Sequence, residues 1–166
     1  MSNNSVSIHK TLEQTRASFA WKSIVEASNT LNNKENFKKY VNLVKGLPAF
    51  INNNGLGQTL AFIYSKSSFN KQDKKEQKTA NAEGVLFKQL QEWLTQENEI
   101  TSPDPSTDKK SNDYLLHCIM DNNSREYIRA TKVTLDLINV MRNFASGLYE
   151  DKYGEKNDKK EPAQSK

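Results

Sequence analysis

Leu47-Pro48-Ala49-Phe50-Ile51-Asn52-Asn53-Asn54-Gly55-Leu56-Gly57-Gln58 holds both a helix stop and a helix start. One helical pattern runs into it and another leaves it. Pro48 can open or bend a helical turn, so residues 47–51 either continue the preceding helix with a kink or form a turn of their own. Asn52-Asn53-Asn54-Gly55 then stops that helix, because Asn and Gly accept the positive backbone angles found at helix ends. A new apolar stripe starts at once, with Leu56, Leu60, Ile63 and Tyr64 at helical spacing and Ala61 and Phe62 beside them. The segment is a tight junction between two helices.

Toward the N-terminus, residues 5–32 read as one long amphipathic helix, with Ile8, Leu12, Phe19, Ala20, Ala27 and Leu31 recurring on one side and no Gly or Pro between them. Asn33 is placed to cap a second helix whose inner face carries Phe37, Tyr40, Val41, Val44 and Leu47. Past the junction helix, residues 65–84 are polar apart from Phe69 and read as a mobile connection. Val85, Leu86, Leu90, Trp93 and Leu94 make a shorter helix, and the polar stretch 98–111 holds the breakers Pro103 and Pro105. Residues 112–121 form a helix on Leu115, Leu116, Ile119 and Met120, and Asp121-Asn122-Asn123-Ser124 supplies a turn and the next cap. The last helix is long, with Tyr127, Thr131, Thr134, Leu135, Ile138, Met141, Ala145 and Leu148 on a broad core-facing side. Sustained period-two alternation and internal repeats are absent. The expected fold is all-α: one bundle-like domain of about six helices over residues 5–150, two polar loops, and a disordered charged tail over 151–166.

Composition narrows the function. A chain of 166 residues with 35% hydrophobic content supports one compact core. A mean hydropathy of -0.84, no apolar run near the roughly 20 residues that span a bilayer, and no secretory leader point to a cytoplasmic protein with no membrane partner. His9 and His117 lie far apart and neither has a second ligand at helical spacing, so no metal is expected. His117 and Cys118 sit inside an apolar helix, where packed core positions are the better reading; adjacent helical residues diverge and cannot form a nucleophile–base pair. Gly55-Leu56-Gly57 lacks the further glycine and the Lys-Ser/Thr of a phosphate loop and follows a helix rather than a strand. Carboxylates are scattered over solvated faces. The expectation is a protein without catalytic residues or cofactor.

What remains is the arrangement of charge within a net +4. Lys38, Asn42 and Lys45 line one side of the second helix, and Arg125, Arg129 and Lys132 line the polar side of the last, continued by Asn139 and Asn143. Such ridges either contact a phosphate backbone, each cation releasing counterions without reading sequence, or are plain solvated surfaces. Arg16 and Arg142 sit at the margins of apolar faces, where a structural ion pair and an RNA contact are both open. Trp21 and Trp93 read as packing anchors rather than base-stacking platforms.

The ordered set Tyr40-Val41-Asn42-Leu43-Val44-Lys45-Gly46-Leu47-Pro48-Ala49-Phe50-Ile51, Asn54-Gly55-Leu56-Gly57-Gln58-Thr59-Leu60-Ala61-Phe62, Glu13-Gln14-Thr15-Arg16-Ala17 and Tyr127-Ile128-Arg129-Ala130-Thr131, followed by Leu135 and Arg142, resembles the small helical subunit of the type III-B (Cmr) CRISPR effector complex, its fifth Cmr subunit. Arg16, Leu47, Pro48, Gly55, Gly57, Gln58, Tyr127 and Thr131 carry the motif. The resemblance implies a non-catalytic subunit of an antiviral RNA-silencing complex. Its partners would be the backbone and large Cmr subunits, neighbouring copies of itself, and guide and target RNA. Lys45, Arg129 and Arg142 fall in or beside matching segments, whereas Lys38, Arg125 and Lys132 come from helical geometry. The alternative is a free-standing α-helical adaptor.

Overall fold

The computed structural model of the chain describes residues 10–70 and 80–154. Six α-helices carry them: α1 (Leu12–Thr30), α2 (Lys34–Asn54), α3 (Leu56–Lys66), α4 (Ala82–Glu92), α5 (Tyr114–Met120) and α6 (Ser124–Tyr153). A 3-10 turn (Ser68–Asn70) follows α3, and a π-helical turn (Trp93–Glu97) extends α4. The architecture is the expected all-α bundle.

Short polar side chains set where these helices begin. Thr11 and Gln14 form a reciprocal capping box at α1: Gln14 N–H donates to Thr11 Oγ1 at 3.2 Å, and Thr11 N–H to Gln14 Oε1 at 2.9 Å. The helix therefore begins at Leu12 and not at residue 5; residues 5–9 lie outside the described residues. Leu12, expected on the inner face, is 65% exposed. Asn33, Asn81 and Asn123 cap α2, α4 and α6, each side-chain oxygen accepting from a backbone N–H three residues on. Asn81 does more: it accepts from Ser68 N–H at 2.9 Å and donates to the Lys66 carbonyl at 2.7 Å, tying α3's end to α4's start. The connection expected over 65–84 is therefore structured at both ends, with Ser67 buried, Phe69 packed on Phe87 and Gly84 inside α4; residues 71–79 lie outside the described residues.

Helix α6 is the axis. Its pairings with α1 advance together, Arg16 to Asp136, Trp21 to Phe144 and Ser28 to Lys152, so the two run parallel. Those with α2 run the other way: Phe37 meets Tyr149 and Tyr153, and Gly57, just past α2, meets Tyr127. The helix therefore continues through residues 151–153, which the sequence assigned to the tail, because Tyr153 packs on Phe37; residues 155–166 lie outside the described residues. Helix α4 closes the core against α1, α2 and α3. Trp93 is buried against Phe19 and donates from Nε1 to the Val133 carbonyl of α6 at 3.0 Å.

One polar node joins three of these elements inside the core. Tyr40 of α2 donates to Gln89 Oε1 of α4 at 2.6 Å, and Gln89 Nε2 donates to the Ser23 carbonyl of α1 at 2.8 Å. Burial pushes the Tyr40 phenol far above its ordinary pKa, so it remains a donor.

His117 departs from the core position expected of it. Its side chain is 40% exposed, between Asp113 and Asp121 one turn away on either side, with Nδ1 3.0 Å from Asp121 Oδ2 and Nε2 3.6 Å from Asp113 Oδ2. Cys118 beside it is buried, as expected. The Asp121 hydrogen bond, supported by the charges of Asp113 and Asp121, raises the imidazole pKa above its usual value. Met120, also expected inside, is exposed at the end of α5.

Two outcomes follow for stability. Gln89→Leu strands the buried Tyr40 hydroxyl and should cost about 1–3 kcal/mol in urea unfolding, whereas adding Tyr40→Phe should recover much of that loss, since removing both partners is far milder than removing one. A histidine whose folded pKa is raised contributes its stability in full below the unfolded value and loses it as pH rises through the folded one. The difference in urea midpoint between wild type and His117→Gln should accordingly be largest below pH of about 6.5 and vanish on the alkaline side, and Asp121→Asn should bring the NMR-titrated pKa of His117 back toward 6.5.

Candidate nucleic-acid interface

Helix α3 starts at a residue that has no side chain to cap it. Gly55 holds φ 83 and ψ 160, a conformation confined almost wholly to glycine, and this lets the chain end α2 and begin α3 with no spacer. The orphan N–H of Gly57 in the first turn of α3 finds its acceptor on another helix: it donates to the Tyr127 hydroxyl of α6 at 3.1 Å. A Cβ at Gly55 would lie 3.0 Å from that oxygen. At Gly57 a Cβ would meet only ordinary contacts, so that residue matters here for its N–H. Thr131 donates from Oγ1 to the Tyr127 carbonyl at 2.9 Å, one turn along α6. Two motif segments, 70 positions apart in the case of the Gly57–Tyr127 bond, thus meet in one contact.

Of the other motif residues, Leu47 and Pro48 serve the same junction. Leu47 and Ile51 are buried on either side of Pro48, and α2 runs unbroken through the proline, so residues 47–51 continue the helix rather than form a separate turn. Gln58 is exposed on the first turn of α3. Arg16 resolves to an ion pair: its Nη2 lies 3.4 Å from Asp136 Oδ2, with the guanidinium largely buried.

The junction sets the register of α2 against α6, and with it the placement of the basic residues. Lys45 lies eight residues beyond Phe37, about 12 Å along α2, and Arg142 seven residues before Tyr149, about 10 Å along α6. Since Phe37 touches Tyr149, the two cations are level on antiparallel helices. Arg142 shares a face with Tyr149 at i, i+7, the face turned toward α2; Lys45 flanks the Phe37–Val44 line on the side away from Tyr40 and α4. Lys38 stands two turns back on the same line as Lys45. All three are exposed, and among the described residues none has a carboxylate within ion-pair distance.

The α6 ridge behaves differently. Arg129 donates from Nε and Nη2 to Glu126 Oε2 at 3.1 and 2.7 Å and from Nη1 to the Asn98 carbonyl at 2.9 Å, pinning the loop after the π turn. Lys132 shares Asp136 with Arg16, at 3.2 Å. Arg125 is exposed on the first turn. These three lie toward the opposite end of α6 from the Lys38–Lys45–Arg142 group and on a different side of that helix, so the six cations form two groups, not one patch. The partners Asp136 and Glu126 were legible as i+4 and i−3 neighbours of Lys132 and Arg129; Asn98 was not. Among the described residues no cluster of three or more His, Cys, Asp or Glu is placed to hold a metal ion, and no helix is long and apolar enough to cross a membrane.

The profile of the family described as CRISPR-associated protein (Cas_Cmr5) matches residues 12–148. The chain belongs to the Cmr5 family. It is thereby a Cmr subunit of a type III-B CRISPR complex. The match runs from the first residue of α1 to within a turn and a half of the end of α6, and so takes in the whole Cmr5 helical core described above.

The junction geometry makes a graded expectation. Tyr127→Phe, which leaves the Gly57 N–H without its acceptor, should cost about 1–2 kcal/mol in denaturant unfolding. Gly55→Ala should cost more, about 2–3 kcal/mol, because backbone strain adds to the close approach to Tyr127. Gly57→Ala, with room for its Cβ, should fall within about 1 kcal/mol of wild type.

Proposed function

We propose that this Cmr5-family chain is a non-catalytic structural subunit of a cytoplasmic, antiviral type III-B effector, stacking beside the backbone subunits and neighbouring copies and holding guide and target RNA by their phosphates. What supports the reading is Lys45 and Arg142, neither with a carboxylate partner among the described residues, level with one another across the α2–α6 seam, with Lys38 extending the line. Cations with no carboxylate partner among the described residues are suited to a phosphate backbone, and base pairing between the two RNAs would supply the choice of sequence. Arg125 and Lys132 extend the path toward the start of α6. Lys132 can exchange Asp136 for a phosphate at little cost, since exposed ion pairs contribute only about 0–1 kcal/mol. Arg129, with three donors engaged inside the chain, serves the shape of the site.

The test is retention of target RNA by the assembled complex across a salt series. Lys45→Ala/Arg142→Ala should weaken retention and flatten the dependence of log K on log salt by roughly 1 to 2, with helicity unchanged. Arg129→Ala should instead lower the stability of the chain and leave the salt slope near wild type. An unaltered slope in the double variant would remove these residues from the RNA path.

A further inference from the structure

Helix α2 carries a second line beside its buried face, headed by a lysine and apolar beyond it, in which Leu43 packs partly on the core while Gly46 and Phe50 are exposed. Lys39, Leu43, Gly46 and Phe50 follow one another at steps of four, three and four, a single stripe about 16 Å long on the side away from Phe37 and Val44. Helix α3 lays Phe62 beside it, with Thr59 and Ile63 beneath, and a groove of about 170 Å³ runs between. The rings of Phe50 and Phe62 are 5.3 Å apart yet 40% and 43% exposed, an unusual position for two large aromatics.

Gly46 lies at the middle of this groove. It sits well inside a helix, where glycine is a poor former, and it has no positive φ to require it. A Cβ there would meet nothing within 4 Å. Within the chain the missing side chain has no packing use; its effect is to lower the groove floor so that another backbone can come close. The rim is cationic. Lys66 Nζ stands 5.9 Å from the Phe62 ring centre and Lys39 heads the stripe on α2, and among the described residues neither is paired with a carboxylate.

We propose that this groove receives an amphipathic helix of another Cmr subunit, its apolar ridge resting on Leu43, Gly46, Phe50 and Phe62 and its bordering carboxylates facing Lys39 and Lys66. The proposal rests on the reading of the chain as an assembly subunit and names the surface and the chemistry by which it joins. Length and shape fit a helix laid in a groove, read by anchors at i, i+3 or i+4 and i+7. Charge separates the occupants. The apolar pair on α6, exposed Ile128 and half-buried Leu135, is flanked by Arg125 and Lys132, and the neighbouring Asp136 is already paired with Lys132 and Arg16, so a second copy offering that ridge would bring cations toward cations. Leu43, Leu47, Phe50, Phe62 and Ile63 outweigh Asn42 and Thr59 in the lining, which suits an apolar helix ridge better than an RNA backbone.

The experiment is assembly of the full chain with separately purified Cmr subunits and guide RNA. Gly46→Trp, which fills the groove from an outward position, should keep its helix content and unfolding midpoint while binding to one Cmr subunit weakens at least tenfold. Lys39→Glu/Lys66→Glu should lose a similar factor at low salt and less at high salt. If wild type joins the complex and Gly46→Trp joins equally well, the groove proposal is overturned and the assembly reading stands. If wild type joins no Cmr subunit, both fall. A Gly46→Trp chain that loses self-association but keeps every Cmr subunit would give the groove to a second copy and overturn the proposal. Retention of RNA is read separately through Lys45 and Arg142, on the other flank of α2.

Discussion

The structure depends on a helix that begins without a cap of its own. Gly55 turns the chain from α2 into α3 in a single residue and leaves the Gly57 N–H unsatisfied, and the hydroxyl of Tyr127 on α6 accepts it. An unpaired donor in a partly buried helix end costs enough to favour one register over its neighbours, because a slip of α6 by one residue would rotate Tyr127 by about 100° away from the junction. At the far end, Phe37 between Tyr149 and Tyr153 enforces the same register through ring packing. Two contacts, one polar and one aromatic, thus lock α2 antiparallel to α6 along most of its length.

This register decides what the surface can do. The six cations that charge periodicity singles out look equivalent in the sequence, yet their neighbours divide them. Arg129 has three donors committed to Glu126 and Asn98, Lys132 leans on a carboxylate it shares with Arg16, and Lys38, Lys45 and Arg142 project without carboxylate partners among the described residues. Desolvating an arginine already held in three hydrogen bonds to reach a phosphate would sacrifice those bonds, whereas an unpaired cation gives up only water and counterions. Helical phase alone cannot draw that distinction, since it places side chains on a face and says nothing of what another element brings to them.

Much of the fold was nonetheless legible. The inner face of α2 reads correctly residue by residue, Phe37, Tyr40, Val41, Val44 and Leu47 all being buried, because a 21-residue amphipathic helix averages out local ambiguity. The Asn33 cap reads correctly from local sequence alone, and the cap expected within Asp121–Ser124 falls at Asn123. Errors arose where a short signal competed with a long one. The Thr11–Gln14 capping box stops α1 inside an uninterrupted apolar pattern, and Asn81 caps α4 inside a polar stretch that composition reads as loose. His117 was misplaced because an apolar neighbourhood in a seven-residue helix does not reveal which side faces out, while Asp113 and Asp121 at i−4 and i+4 were the available sign that it lies on a polar side. The Tyr40–Gln89–Ser23 node and the Arg129–Asn98 bond are long-range and leave no trace in periodicity.

The positions of Gly46 and Pro48 make sense only when α2 is seen to face two ways. A proline inside a helix removes the N–H that would bond the Val44 carbonyl, at a cost of about 3 kcal/mol or more, and a glycine two residues earlier adds to it. An isolated helix would break there. Here Val44, Leu47 and Ile51 are buried on both sides of the interruption, and their burial, at roughly 1.5–3 kcal/mol for each large side chain, outweighs the local penalty. The inner face can therefore hold α2 continuous through a segment whose own propensity opposes it. The outer face is then free to depart from good helix formers, and it does so at Gly46, where the missing Cβ opens a groove that no side chain of the described chain fills. A residue that weakens a helix and meets nothing within its own fold is best understood by what approaches from outside.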